Sequence, residues 1–225
     1  MVVSLLLAIM FLLWYPNSYF KLMGGGKLIA LIAGIDVFLG PLLTLIIFNT
    51  QKKSLKFDLL CIAIIQILAM SYGLYVMFEA RPVFTVFNKD HFHVVSVVDV
   101  HPQELAKGKK DKWRTLSLTG PVLAAIGTPD KNDKVETAFA MVEAAHAYRY
   151  PRLYDEYEAH KSEVINVARP LKDLVKDDKN SAINDFLQDQ NRPISDFAYL
   201  PIKSEVSEMS AVIDVTTGDL IKIIG

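Results

Sequence analysis

Asp36 is the residue in this 225-residue chain whose position asks most of chemistry, because it is the one charge in the apolar run Leu28 to Phe48. A carboxylate near the middle of a membrane span costs a few kcal/mol or more unless it is protonated, solvated in a cavity or matched by a partner. Three roles are open to it. It can bond within its own bundle, to Gln66 or Ser71; it can face a polar or cationic group of a partner in the membrane; or it can relay a proton or ion. Gly34, Gly40 and Pro41 surround it and permit close helix approach and a local kink.

Other residues carry weaker signals. His91 and His93 are two apart on an expected strand, so both side chains point to one face and could reach a metal, with His101 nearby in sequence. Two histidines on an exposed strand would look the same without one, and no metal is expected. Gly24-Gly-Gly26-Lys27 lacks the spacing of a phosphate loop and reads as a flexible connector. Tyr148, Tyr150, Tyr154 and Tyr157 alternate with Arg149, Arg152, Asp155, Glu156 and Glu158. Such a stretch suits either a protein contact or the cover of the domain's own core. Neither G-x-S-x-G nor H-E-x-x-H occurs, so the expectation is a non-enzyme without cofactor, the alternative being a membrane-anchored metal-dependent enzyme using His91 and His93. The lone cysteine, Cys61, excludes disulfide frameworks and cysteine zinc sites.

The elements that must position these residues divide the chain in two. Residues 1–78 hold 53 apolar residues and residues 79–225 hold 63, so the overall 52% describes neither part. The first part carries five lysines against two aspartates; the second has 19 basic against 23 acidic residues. An acidic soluble half argues against nucleic-acid binding, whose affinity comes from phosphate neutralisation. Leu28–Phe48 and Leu59–Phe78 are long enough to cross about 30 Å of hydrocarbon at about 1.5 Å per residue. Met1–Tyr15 is shorter, ends in the interface-type pair Trp14-Tyr15, and has neither a basic leader nor an A-x-A-like cleavage site. These features predict a membrane protein: an N-terminal bundle of three transmembrane helices (about 1–15, 28–48 and 59–78) followed by an α+β domain over 79–225. Lys52, Lys53 and Lys56 against Lys21 and Lys27 favour a cytoplasmic second loop and a periplasmic domain.

Within the domain, Pro82–Phe87 and His91–Val98 predict strands around a loop at 88–90. Leu116–Leu118 and Val122–Ile126 flank the breaker Gly120-Pro121. Thr128-Pro129-Asp130 opens a helix expected over about 129–147. The helical spacing of Val164 to Val175 must be divided by Pro170, and Ser181 caps a shorter helix with Ile183, Phe186 and Leu187 on its apolar face. Phe197–Ile202, Ala211–Val215 and Leu220–Ile224 return to strand, with a turn at 216–219. Lys107–Lys112 reads as a solvated basic loop.

Several of these segments taken together resemble a known family. Trp14-Tyr15-Pro16, Gly34-Ile-Asp36 through Gly40-Pro41 to Phe48, Lys53 to Asp58, Tyr72-Gly73-Leu-Tyr75, Ala80-Arg81-Pro82, Asp90 to Val94 and Asp214-Val-Thr-Thr-Gly218-Asp219 resemble the type IV pilin accessory proteins of the TfpX/TfpZ kind. The match is dense over 14–98 and thin from 99 to 195. The resemblance implies a bacterial inner-membrane protein that serves type IV pilus assembly by binding or modulating the pilin. On that view Asp36, Gly34, Gly40, Pro41, Gly73 and Arg81 are the expected partner-binding residues, and the partners are a type IV pilin and the lipid bilayer.

Overall fold

A computed structural model of the protein describes residues 12–16, 18–27, 29–30, 34, 41, 55–127, 146–175 and 181–225. The expected span 28–48 and the expected helix 129–147 lie almost wholly outside the described residues. The chain forms two compact units: Met1–Met23 joins Arg81–Gly225 in one, and Gly24–Ala80 makes the other.

The expectation of an N-terminal three-helix membrane bundle is corrected. Among the described residues one helix is long and apolar enough to cross a membrane, within α2 (Leu55–Glu79). The segment following the first hydrophobic stretch belongs instead to the α+β unit, with Tyr15 and Leu22 2% and 0% exposed. The physical reason is that an apolar side chain gains as much from a protein core as from lipid. Tyr15 meets Phe20 edge to face at 6.1 Å, and its neighbours find hydrogen-bond partners on the sheet.

Helix α2 has no proline and is apolar all round. Its window Leu60–Glu79 has a mean hydropathy of 2.0 and is only 17% buried, unlike the core helix of a soluble protein. Leu60, Ile64, Ile67, Leu68, Tyr72 and Tyr75 are exposed. Twenty residues at about 1.5 Å each span roughly the 30 Å of a hydrocarbon core.

The α+β unit is built on a mixed sheet. Its strands are β1 (Pro82–Asn88), β2 (His91–Ser96), β3 (Val122–Ile126), β4 (Tyr154–Asp155), β5 (Arg169–Pro170), β6 (Phe197–Lys203), β7 (Glu208–Asp214) and β8 (Leu220–Ile224). The order is β4-β3-β1-β2-β6-β7-β8, with β5 added beside β6. β1–β3 and β2–β6 are parallel, and the other pairs are antiparallel. The β1–β2 hairpin is tighter than the sequence suggests, since Asn88 pairs with His91 and Lys89 takes a φ of 61°. Around the sheet lie α1 (Tyr19–Leu22), α3 (Pro102–Leu105), α4 (Tyr157–Val167), α5 (Lys172–Val175) and α6 (Ser181–Gln190). Pro170 does divide the 164–175 stretch, because it pairs in β5 where a helix would need its missing N–H.

Two cores result. Phe84, Val86, Val95, Trp113, Ala124 and Tyr154 fill one, with Phe84 and Tyr154 edge to face at 5.2 Å. Leu171, Ile183, Phe186, Phe197, Val212 and Ile224 fill the other. Every residue of β1 is buried, so the strand is covered on both faces. Tyr19 supplies part of that cover, its hydroxyl lying 2.8 Å from Thr85 Oγ1.

Candidate interaction site

The structure describes four of the six residues expected to bind a partner, and they fall in two units. Asp36 and Gly40 lie outside the described residues. Gly34 is helical, and a Cβ built on it meets nothing within 4 Å among the described residues. Pro41 is exposed and Gly73 is buried in α2. Arg81 belongs to the other unit, where it is 3% exposed and its Nε donates to the Ser117 carbonyl at 3.1 Å. Its guanidinium thus works inside the fold, tying the start of β1 to the loop before β3.

The most developed polar cluster of the α+β unit is carried by β2. The alternation of the strand puts His91 and His93 on one face, and their Nε2 atoms are 2.7 Å apart. Asp90 Oδ1 accepts from His91 Nδ1 at 2.7 Å. The His93 ring stacks on Tyr148 at 3.8 Å and 10°. Tyr148 donates its hydroxyl to Glu205 at 3.1 Å, and Arg149 donates to the same oxygen at 2.7 Å. Burial and the neighbouring His91 push the His93 imidazole down to about 4, so it is neutral at pH 7. Arg149 holds the Glu205 carboxyl below the usual range.

Chemically, one Nε2 must carry a hydrogen and the other accept it, so Asp90, His91 and His93 form a short proton-sharing chain on a partly exposed surface. The pair also offers two imidazole nitrogens, but among the described residues no group of three or more His, Cys, Asp or Glu residues converges as metal ligands. Tyr148 is itself buried in the first core, so the cluster shows His91, Arg149 and Glu205 to solvent, a polar, arginine-containing rim of the kind found at protein contacts.

Sequence reasoning found His91, His93 and the tyrosine-rich stretch, but it left Tyr148 and Glu205 apart. They are 57 residues apart in sequence, and the contact follows from β2 and β6 lying side by side. Tyr154 and Tyr157 are structural. Tyr154 is fully buried with its hydroxyl donating to the Tyr148 carbonyl, and Tyr157 donates to Gly218 O at 2.6 Å. The basic loop is less free than expected: Lys110 and Lys112 both pair with Glu156 and lie over the Trp113 ring.

The closing Asp214-to-Asp219 motif is a latch. Asp214 Oδ1 accepts from the N–H groups of Thr216 and Thr217 at 2.8 and 3.2 Å, while Oδ2 accepts from Arg192 at 2.7 Å. The Arg192 bond, with those two backbone bonds, holds the Asp214 carboxyl below its ordinary range.

No protein-family model and no solved structure matches the chain. Three curated relatives do, all from Dichelobacter nodosus. The fimbrial assembly protein of serogroup I is 36% identical over 176 residues, 76% of this chain and 67% of the relative. That of serogroup E1 is 37% identical over 177 residues, with the same coverage. That of serogroups C1 and C2 is 45% identical over 106 residues, 46% of this chain and 81% of the relative. With such identity sustained over two thirds or more of each relative, the chain belongs to the fimbrial assembly proteins.

Proposed function

We propose that the protein is an accessory factor of type IV pilus biogenesis, held in the bacterial inner membrane, that binds or modulates the pilin without catalysing a reaction. The observation that carries this reading is the sustained identity to fimbrial assembly proteins. The resemblance of residues 14–98 to pilin accessory proteins supplies the pilus type. A pilin keeps a long apolar helix in the membrane before assembly, and the uncovered apolar sides of Leu60–Glu79 offer a surface of matching chemistry. Asp36, flanked by Gly34 and Gly40, meets a polar or cationic group of that helix, which explains why a carboxylate is kept in an apolar run. The patch of His91, Arg149 and Glu205 is then the contact for the pilin's soluble head.

The test is co-purification of pilin with the full chain from membranes, together with counts of surface pili in a strain lacking the protein. Captured pilin, and pili reduced in number, are expected; Asp36→Asn lowers capture. Normal pili without the protein would refute the reading, and undiminished capture by Asp36→Asn would remove Asp36 from it.

A further inference from the structure

Arg81, two residues along the chain from the end of the apolar helix Leu60–Glu79, is the first residue of the α+β unit after it. Its buried guanidinium donates to Ser117 O at 3.1 Å, so the loop 116–120 is pinned beside the junction. The loop closes at Gly120, with a φ of 87°, where a Cβ would come within 2.8 Å of Pro16 Cγ. Three segments of the α+β unit therefore meet here: the start of β1, the loop 116–120 and the chain around Pro16.

This junction shows several large apolar side chains to solvent, with the uncharged Thr119 among them. Leu118 is 57% exposed, Leu12 77% and Leu13 44%, and Trp14 is half-buried beside them in sequence. No charged residue occurs between Thr115 and Gly127 or before Lys21. Seating such a surface in an apolar medium strips water from almost no charge. Two residues of chain reach at most about 7 Å, so Arg81 lies at the depth of the headgroups wherever the helix leaves the bilayer.

We propose that this junction rests on the membrane, with Leu118, Leu12, Leu13 and Trp14 inserted at the headgroup–acyl boundary of the leaflet from which Leu60–Glu79 emerges. Leucine and tryptophan are the residues that settle at that depth. The inference rests on the membrane attachment in the proposed function. It adds that the α+β unit is docked on the bilayer rather than tethered away from it, which fixes the surface left for a pilin.

The test uses the full chain in phosphatidylcholine–phosphatidylglycerol vesicles. Trp14 and Trp113 are the two tryptophans, and Trp113 is fully buried, so Trp113→Phe leaves Trp14 as sole reporter. Its emission is expected to be blue-shifted and quenched more by lipids brominated high on the acyl chain than near the tail end. A second measurement is independent of that variant. A polarity-sensitive dye on Leu118→Cys, in a Cys61→Ser background, is expected to be bright and quenched by the same lipids, while a dye on Asp185→Cys stays dim and unquenched. Flotation with the vesicles while Trp14 and the Leu118 dye both report water would overturn the inference alone, as would equal quenching at Asp185. Failure to float would overturn the membrane reading and this inference with it.

Discussion

Ser18 donates its hydroxyl to the carbonyl oxygen of Ile223 at 2.7 Å, joining residues 205 apart in sequence. Beside it Lys21 reaches the carbonyl of Gly225, and Ser204 and Ser207 each donate to Leu22 O at 2.7 Å. The segment Ser18–Met23 is thus a strap over the last strands, satisfying carbonyls of β8, which ends the sheet. Leu22→Ala is expected to cost about 2–5 kcal/mol, the usual range for a buried leucine, and Ser18→Ala about 1 kcal/mol. Thermal unfolding of the detergent-solubilised chain checks both. The order matters: a larger loss from Ser18 than from Leu22 would mean that hydrogen bonding, not burial, holds the strap.

His93 gives the fold a dependence on pH. Its folded value of about 4 lies below the 6.5 of an unconstrained imidazole, so between those values the unfolded chain binds the extra proton. Stability from this residue is complete above about pH 6.5 and is lost as pH falls toward 4. Because the ring is partly exposed, solvent screening reduces the effect to about 1–2 kcal/mol. Melting curves from pH 7.5 to 4.5 should show the decline, and His93→Phe, which keeps a ring on Tyr148, should flatten it.

Gly218 carries a third prediction. Its φ is 75°, and a Cβ there would lie 2.7 Å from Lys161 Cβ. Gly218→Ala therefore meets both a left-handed backbone and a side chain of α4, and about 1–3 kcal/mol of destabilisation is expected. Amide exchange should localise the loosening to the β7–β8 turn and to Tyr157, whose hydroxyl loses the Gly218 carbonyl.

What could be read from the sequence follows from what each signal measures. Runs rich in β-branched and aromatic residues between turn signals found β1, β2, β6, β7 and β8, and Pro170 marked the break between helices, because these are local matters of backbone and side chain. Hydropathy found Leu60–Glu79 for the same reason. It could not assign Tyr15 and Leu22, since an apolar residue bound for lipid and one bound for a core look alike. Composition also drew the boundary after residue 78, whereas the chain leaves the α+β unit at Met23 and returns at Arg81. His91 and His93 were legible as a pair on one face. Their partners Tyr148 and Glu205 were not, because a parallel pairing of β2 with β6 brings in residues from across the chain.

Trp113 supplies the last prediction. Its indole is fully buried, packs edge to face on Tyr154 at 6.4 Å, and its N–H has no hydrogen-bond partner among the described residues. An unmatched buried donor costs about 1–3 kcal/mol, and phenylalanine removes it while keeping an aromatic ring against Tyr154. Against that gain stands the smaller volume of phenylalanine, whose cavity costs a similar amount. The two effects nearly cancel, so Trp113→Phe should lie within about 1 kcal/mol of the natural chain. Trp113→Ala removes the same donor but leaves a much larger cavity and should lose about 3–5 kcal/mol. Comparing the two melting temperatures decides the matter: an equally severe loss from both would mean that the indole N–H has a partner worth keeping.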